Sequence, residues 1–164
     1  MSKITDLSII IVNFNTKFFL GECLRSIFAS DLNSCDSEVI VVDNASTDGS
    51  AQEIQKLKVE IQNLRLIQNK TNLGFAAGNN IGIRVAKGRY ILLLNSDTGL
   101  SESVLTEMIR FMDHHPEAGA ATCRLSLTSG QIDPACHRGF PTPWAALTYF
   151  SGLVLLGIKL RSII

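Results

Sequence analysis

Charged residues are scarce in this chain of 164 residues, and their signs cancel. Lys and Arg number 15, Asp and Glu number 15, and charged residues make up 18% of the chain. Nucleic-acid binders usually carry a clear basic excess, so the zero net charge argues against nucleic acid as a partner. A charged share below the usual level of about 25%, beside 46% hydrophobic residues, excludes disorder and favours a packed core.

Familiar phosphate-binding and nucleophile motifs are missing too. No G-x-G-x-x-G and no G-x-x-x-x-G-K-[ST] follows the first apolar run, which removes the usual cradles of nicotinamide-dependent enzymes and P-loop proteins. The four cysteines form no C-x-x-C pair, and no Ser–His–Asp or Cys–His set is recognisable. No secretory signal is visible, so we expect reduced thiols in a cytoplasmic protein.

What the sequence does contain is four short apolar runs that alternate with helical patterns. Continuous apolar runs between helices are typical of parallel strands that are covered on both faces. The pattern therefore predicts an α/β fold, and a fifth strand is expected over Ala118–Thr122. The four runs are residues 7–12, 39–42, 64–67 and 90–94.

Local signals predict how some helices begin and pack. Ser50 and Glu53 have the spacing of a capping box, in which the Ser50 hydroxyl accepts a hydrogen bond from the Glu53 amide. Ser101 is expected to cap the helix after the fourth run. Gly74, Gly78 and Gly82 repeat every four residues, which predicts a helix backbone that approaches a sheet or a ligand closely.

Polar residues follow all four apolar runs, where open parallel sheets bind their ligands. Asp43 follows the second run, and its carboxylate could accept the ring N–H of a uracil or thymine base. Asp97 lies two residues after Asn95, and its carboxylate is a candidate ligand for Mg²⁺ or Mn²⁺. For both carboxylates, ordinary turn chemistry is the alternative, and Asp48 before Gly49 indicates a turn.

Four stretches occur in an order that is more specific than any one of them. Together they closely resemble the family 2 glycosyltransferases, and within them the rhamnosyltransferase-like members of bacterial polysaccharide assembly. The resemblance covers about residues 7–145. The four stretches are Ser8–Asn15, Val41–Ser50, Asn72–Asn80 and Leu93–Thr98.

The resemblance implies a GT-A fold, which is a Rossmann-like, mostly parallel sheet with helices on both faces. It implies that Val12 and Phe14 contact the nucleotide and that Asp43 contacts its base. Asn95, Ser96 and Asp97 occupy the place of the family's D-x-D motif, with Asn95 and Ser96 beside the donor and Asp97 holding Mg²⁺ or Mn²⁺. Asn95 departs from the pattern, because it replaces one anionic ligand by an amide.

The implied activity is inverting transfer of a hexosyl group from a UDP- or dTDP-sugar to a saccharide or lipid-linked acceptor. The subgroup points to dTDP-rhamnose as the donor. Inverting transfer needs a carboxylate base near the acceptor hydroxyl, and none of the five acids after Asp97 sits in the family's later acidic motif. We therefore expect only the N-terminal, donor-binding part of a longer transferase, which lacks its catalytic base and is inactive alone.

Two other functions stay open. A sugar nucleotidyltransferase has a related fold, but it usually carries a Gly-rich basic loop that Asn13–Thr16 does not supply. A non-catalytic nucleotide-binding module would explain the missing base. Product analysis separates the two enzymes, and turnover separates both from the module.

The apolar excess of the sequence is concentrated near its end. We expect residues 1–140 to form the nucleotide-sugar-binding domain and residues 141–164 to form an apolar helical segment. As a helix, Trp144–Ile158 would extend about 22 Å, which is too short for about 30 Å of bilayer hydrocarbon. The segment is predicted to lie at the inner face of a membrane, or to pack against a further part of the protein and self-associate when exposed.

Overall fold

The computed structural model describes residues 5–31, 35–60 and 63–133, together with positions 143 and 147. The chain divides into two compact units, Met1–Gly119 and Ala120–Ile164. The first unit contains all the strands and helices named below, and these alternate along the chain. They are β1 Leu7–Asn13, α1 Lys17–Ala29, β2 Ser37–Asp43, α2 Ser50–Glu60, β3 Leu64–Gln68, α3 Phe75–Val85, β4 Tyr90–Asn95 and α4 Val104–His114.

The four strands form one parallel sheet in the order β3-β2-β1-β4. The chain therefore builds outward from β1 on one side and then crosses to the other side for β4. This reversal creates a crevice at the carboxyl ends of β1 and β4, which is where open α/β sheets bind ligands. The register pairs Val12 of β1 with Asn95 of β4 and pairs Asn13 with Asp43 of β2.

Helices cover both faces of this sheet, which confirms the predicted α/β class. The odd-numbered side chains of β1, such as Ile9 and Ile11, belong to a buried cluster with Leu24 of α1 and Ile54 of α2. Leu105 of α4 completes this side. Helix α3 lies on the opposite face against β1 and β2. Burial on both faces explains why β1 and β2 are continuous apolar runs.

The close approach predicted from three glycines is found at two of them, between α3 and β1, whereas nothing lies within 4 Å of the Cβ position of Gly74. A Cβ atom built on Gly82 would lie 2.5 Å from Cγ2 of Ile10, and one on Gly78 would lie 2.8 Å from Cγ1 of Val12. Both distances are too short for a real side chain, so only glycine allows α3 to lie this close to the sheet. The start of α3 is thereby held beside the carboxyl end of β1.

The capping box predicted for α2 is wrong. Ser50 is the first residue of the helix itself, and its hydroxyl donates to Asp48 Oδ1 instead of accepting from Glu53. The Glu53 amide donates to the carbonyl of Gly49 at 3.2 Å. Asp48 therefore caps this helix, because its Oδ1 accepts hydrogen bonds from the amide and the hydroxyl of Ser50.

Two further local predictions are also wrong. Helix α4 begins at Val104 rather than next to Ser101, and the side chain of its N-cap residue, Ser103, makes no capping hydrogen bond. Residues 118–122 form no strand, although they lie within the described part of the chain. Ala120–Thr122 is exposed, and this stretch of small side chains offers a sheet little apolar bulk to bury.

The segment predicted to be an apolar helix, 141–164, lies outside the described residues apart from positions 143 and 147. The boundary predicted at residue 140 therefore stays a prediction. Among the helices that the structure describes, none combines the length and the apolar character needed to cross a bilayer.

Candidate functional site

A cavity of about 310 Å³ opens at the carboxyl ends of β1 and β4, beside the start of α3. Five of the six residues proposed from the sequence line it, although they come from the ends of two strands, β1 and β4, that are far apart in the chain. The sheet order brings them together, because β1 and β4 are neighbours. These five residues are Val12, Phe14, Asn95, Ser96 and Asp97.

The sixth residue, Asp43, does not line the cavity. It is 1% exposed, and its carboxylate accepts three hydrogen bonds. Oδ1 accepts from Asn13 Nδ2 at 2.7 Å and from the Ser46 hydroxyl at 2.6 Å, while Oδ2 accepts from the Ser46 amide at 3.1 Å. The turn role left open by the sequence is therefore present, and contact with a nucleotide base stays a prediction.

Five further residues line the cavity that the sequence analysis did not propose as site residues. Thr16, Asn44 and Asn72 lie in the loops that follow β1, β2 and β3, where the strand-end rule applies, whereas Phe75 is the first residue of α3. Gly74 has φ +82°, a conformation that favours glycine, and it is the N-cap residue of α3 at the cavity wall. The five are Thr16, Asn44, Asn72, Gly74 and Phe75.

Side-chain amides fasten the loops beneath the cavity to one another. Asn44 Nδ2 donates to the carbonyl of Gly74 at 3.1 Å, and its Oδ1 accepts from Asn69 Nδ2 at 2.8 Å. One asparagine thus joins the ends of β2 and β3 to the start of α3. Ala45, the next residue, has φ +62°, which is costly for a residue with a Cβ. The surrounding hydrogen bonds hold this strained turn in place.

The turn Asn95–Asp97 forms the opposite wall of the cavity. Asn95 and Asp97 are exposed, whereas Ser96 points inward and is 9% exposed. Below the turn, the thiol of Cys23 donates to the carbonyl of Asn95 at 3.6 Å. Burial, and then the charge of Asp97, raise the pKa of Cys23 to about 11, so this thiol keeps its proton at neutral pH.

The donor atoms at this wall fit a hard divalent cation that is shared with a ligand. Asp97 offers a carboxylate and Asn95 an amide oxygen, and both residues face the cavity. Within the described part of the chain, no cluster of three or more His, Cys, Asp or Glu could enclose a metal ion. Mg²⁺ and Mn²⁺ often take only one or two protein carboxylates and complete their shell with substrate phosphates. The donor set therefore suits a cation bound together with a diphosphate.

A larger hollow of about 500 Å³ lies beside the start of α1. Its lining includes the exposed rings of Phe18 and Phe19 and the carboxylate of Asp48. That carboxylate is engaged in capping, because it accepts from the amides of Lys17 and Ser50. The hollow shares only Thr16 with the cavity at the strand ends. We therefore assign the functional site to the smaller cavity, which holds the predicted residues.

Comparison with known proteins identifies the family to which the chain is similar. The model of glycosyl transferase family 2 matches residues 8–148. The poly(ribitol-phosphate) beta-N-acetylglucosaminyltransferase TarS of Staphylococcus aureus is 30% identical over 109 residues, which are 66% of this chain and 19% of TarS. The poly(ribitol-phosphate) beta-glucosyltransferase of Bacillus spizizenii is 29% identical over 136 residues, 82% of this chain and 20% of that protein.

Solved structures share the fold. The crystal structure of S. aureus TarS 1–349 matches with a TM-score of 0.63 at 29% identity, over 68% of this chain and 33% of that chain. The same TarS region in complex with UDP-GlcNAc matches with a TM-score of 0.63 at 29% identity, over 68% of this chain and 32% of that chain. The present chain spans about a fifth of the length of the two curated relatives named above.

Proposed function

The chain belongs to glycosyl transferase family 2, and from this premise we propose that it binds a nucleotide-sugar donor and a divalent cation for inverting sugar transfer. One observation carries the proposal. Residues that the family resemblance assigns to donor and metal, on two distant parts of the sequence, line a single cavity at a sheet edge. Turn chemistry at each strand end would not by itself require this convergence.

We propose a UDP-sugar as the donor, because the related TarS protein was crystallised with UDP-GlcNAc. The resemblance to rhamnosyltransferases points instead to dTDP-rhamnose. Uracil and thymine present the same ring N–H, so a carboxylate such as Asp43 would not distinguish the two bases. Comparing UDP with dTDP in one binding assay therefore tests the nucleotide directly.

In this proposal Asp97 and the Asn95 amide oxygen would hold Mg²⁺ or Mn²⁺. When bound there, the cation would supply Lewis-acid stabilisation of the negative charge on the leaving group. Val12 and Phe14 contact the nucleotide at the end of β1. The exposed ring of Phe75 at the start of α3 adds an apolar surface that the sequence analysis did not include.

The acceptor in this proposal is a polymer of the kind that the names of the two curated relatives print, poly(ribitol-phosphate). Among the residues that the structure describes, no candidate for the catalytic base lies beside the donor cavity. Among the described residues after Asp97, no acid lines that cavity, and the carboxylate of Asp113 is engaged by Arg89 and Tyr90. We propose that residues 1–164 bind the donor without transferring its sugar to an acceptor.

Calorimetric titration of UDP with Mn²⁺ and with EDTA tests the proposed site. We expect Mn²⁺ to strengthen UDP binding. Asp97→Asn should lower that gain in affinity at least about tenfold, because the substitution replaces a charged ligand by a neutral one of the same size. Glu102→Gln is the matched control, since this exposed acid lies five residues away and outside the cavity. Equal UDP affinity in Mn²⁺ and in EDTA would contradict the metal role.

A further inference from the structure

A fully buried amide, Asn13, ends β1 and lies between the Asp43–Ser46 turn and the Asn95–Asp97 turn. Its Nδ2 donates to Asp43 Oδ1 at 2.7 Å and to the Ser46 hydroxyl at 2.9 Å. Its Oδ1 lies 2.6 Å from the hydroxyl of Thr16, which in turn lies 2.9 Å from the hydroxyl of Ser96. A continuous line of hydrogen bonds thus joins the Asp43 turn to the Asn95–Asp97 turn.

The direction of each hydrogen bond in this line follows from the chemistry of its groups. An ionised carboxylate only accepts, so the amide nitrogen of Asn13 faces Asp43 and the amide oxygen faces Thr16. The single hydroxyl proton of Thr16 then goes to Asn13 Oδ1, and the Ser96 hydroxyl must donate to Thr16. Every donor in this line therefore points toward the carboxylate of Asp43.

Helix α1 contacts the same turn at Asn95 and contacts the segment after it at Leu100. The Cys23 thiol donates to the carbonyl of Asn95, and the Ser26 hydroxyl accepts from the amide of Leu100 at 3.0 Å. The backbone around Asp97 is thus fixed from α1 and from Thr16, just before that helix. Of these contacts, only the one through Thr16 and Asn13 continues to the Asp43 turn on the far side of β1.

We propose that Asn13 and Thr16 are positioning residues. They fix the distance between the Asp43–Ser46 turn, which we assign to the nucleotide base, and the Asn95–Asp97 turn, which we assign to the metal ion. The inference rests on the proposed function. The nucleotide base and the diphosphate belong to one ligand, so the two turns must keep a set separation to bind both ends of it at once. A shift of about 1 Å in that separation is costly in transfer reactions, and a buried network of hydrogen bonds opposes such a shift.

Thr16→Val is the central variant, because valine keeps the shape of threonine and removes only the hydroxyl. Thr16→Ser keeps the hydroxyl and should restore the wild-type behaviour. Ser8→Ala is the matched control. Ser8 is a buried hydroxyl at the opposite end of β1, where it bonds Glu38 and the amide of Gly88, far from the cavity.

Two measurements on the full chain test the proposal. In calorimetry, Thr16→Val should lower the gain in UDP affinity from Mn²⁺ about tenfold. The UDP affinity in EDTA should change less than about threefold, because the Asp43 carboxylate keeps its hydrogen bonds from Asn13 and Ser46. In amide hydrogen exchange without ligand, Thr16→Val should speed exchange both at Ser96–Thr98 and at Asn44–Ser46. Thr16→Ser and Ser8→Ala should show neither effect.

The outcomes separate this inference from the proposed function. If wild-type protein shows no UDP binding, the proposed function fails, and hydrogen exchange still decides whether the two turns are coupled. If UDP binding depends on Mn²⁺ but Thr16→Val behaves like Ser8→Ala, the positioning role is overturned. Exchange that quickens at Ser96–Thr98 alone also overturns it, because the line would then end at Thr16.

Discussion

Asp48 is a single side chain that serves two helices at once. Its Oδ2 accepts from the amide of Lys17, the first residue of α1, at 2.8 Å, and its Oδ1 accepts from the amide of Ser50, the first residue of α2, at 3.0 Å. The unpaired amides at the start of each helix are satisfied by one carboxylate, whose negative charge also suits both helix dipoles. The sequence predicts a turn at Asp48, and the structure shows that its carboxylate also caps α1.

We expect Asp48→Ala to lower the free energy of unfolding by about 1–3 kcal/mol, because it removes two caps that are each worth about 1 kcal/mol. Asp48→Asn keeps one acceptor oxygen and should cost less. Urea unfolding at pH 7 measures both, with Glu102→Ala as the control at an exposed position. A loss in Asp48→Ala no larger than in the control would show that the caps contribute nothing.

Titration of the Asp48 carboxylate makes the difference in unfolding free energy between wild type and Asp48→Ala depend on pH. Burial alone would raise the pKa of Asp48, but hydrogen bonds from the Ser50 hydroxyl and from the amides of Lys17 and Ser50 outweigh it, and the pKa is lowered. A lowered folded-state pKa gives stability that is complete above the unfolded pKa and is lost as the pH falls through the folded one. The gap between wild type and Asp48→Ala should therefore narrow below about pH 4.

At the scale of elements, the contact between α3 and β1 shapes the site most directly. Gly82 and Gly78 let the helix backbone approach Ile10 and Val12, and this approach sets the start of α3 against the cavity. The contact consists of close-packed atoms on both sides, so it tolerates little added volume. A change at the middle of α3 should therefore be felt both in stability and at the cavity wall.

We expect Gly82→Ala to lower the free energy of unfolding by about 1–3 kcal/mol, because its methyl group would overlap the side chain of Ile10. Helix propensity favours alanine by about 1 kcal/mol, so any loss reflects the packing alone. Gly99→Ala is the matched control, since nothing lies within 4 Å of its Cβ position. Equal stability of the two variants, measured by urea unfolding, would refute the packing argument.

β1 and β2 were predictable because burial on both faces makes a parallel strand a continuous apolar run, whereas β4 is such a run although its Ile91 and Leu93 are exposed. The first predicted run, residues 7–12, falls short of β1 by one residue. The cap of α2 was not predictable, because it depends on the loop conformation before the helix. That conformation places the Asp48 carboxylate, and not the Ser50 hydroxyl, as the capping acceptor. Residues 118–122 resembled a strand only by their lack of charge.

The site was predictable in part for a similar reason. The strand-end rule brings Val12 and Asp97 to one edge of the sheet, and both line the cavity. The rule does not show which strand-end side chains point outward. Asp43 points into a network that depends on Asn13 and Ser46, and Phe75 reaches the cavity only because α3 lies so close to β1.

At the scale of the whole molecule, charge and apolar residues are unevenly distributed along the sequence. Residues 119–164 contain four Lys or Arg against one acid, so the earlier residues carry the compensating negative charge. The donor site lies in the earlier part, and the apolar residues from Trp144 onward lie in the later part. The two regions can therefore be tested separately, by nucleotide binding for one and by association for the other.

The last prediction concerns the apolar residues from 144 to 164, which lie outside the described part of the chain apart from position 147. An exposed apolar patch of this size is disfavoured unless a membrane or a protein surface covers it. We expect the full chain to self-associate or to bind detergent, and deletion of residues 144–164 to reduce both while leaving UDP binding intact. Light scattering and sedimentation measure the association.

Vesicles distinguish the two explanations for this segment. An interfacial helix should bind anionic vesicles in a salt-sensitive manner, because Lys159 and Arg161 would lie near the headgroups. A surface that normally packs against another part of the protein should bind detergent but show no preference for anionic lipid. A monodisperse monomer that ignores both detergent and vesicles would contradict the two explanations together, and it would mean that these residues are buried within the chain's own core.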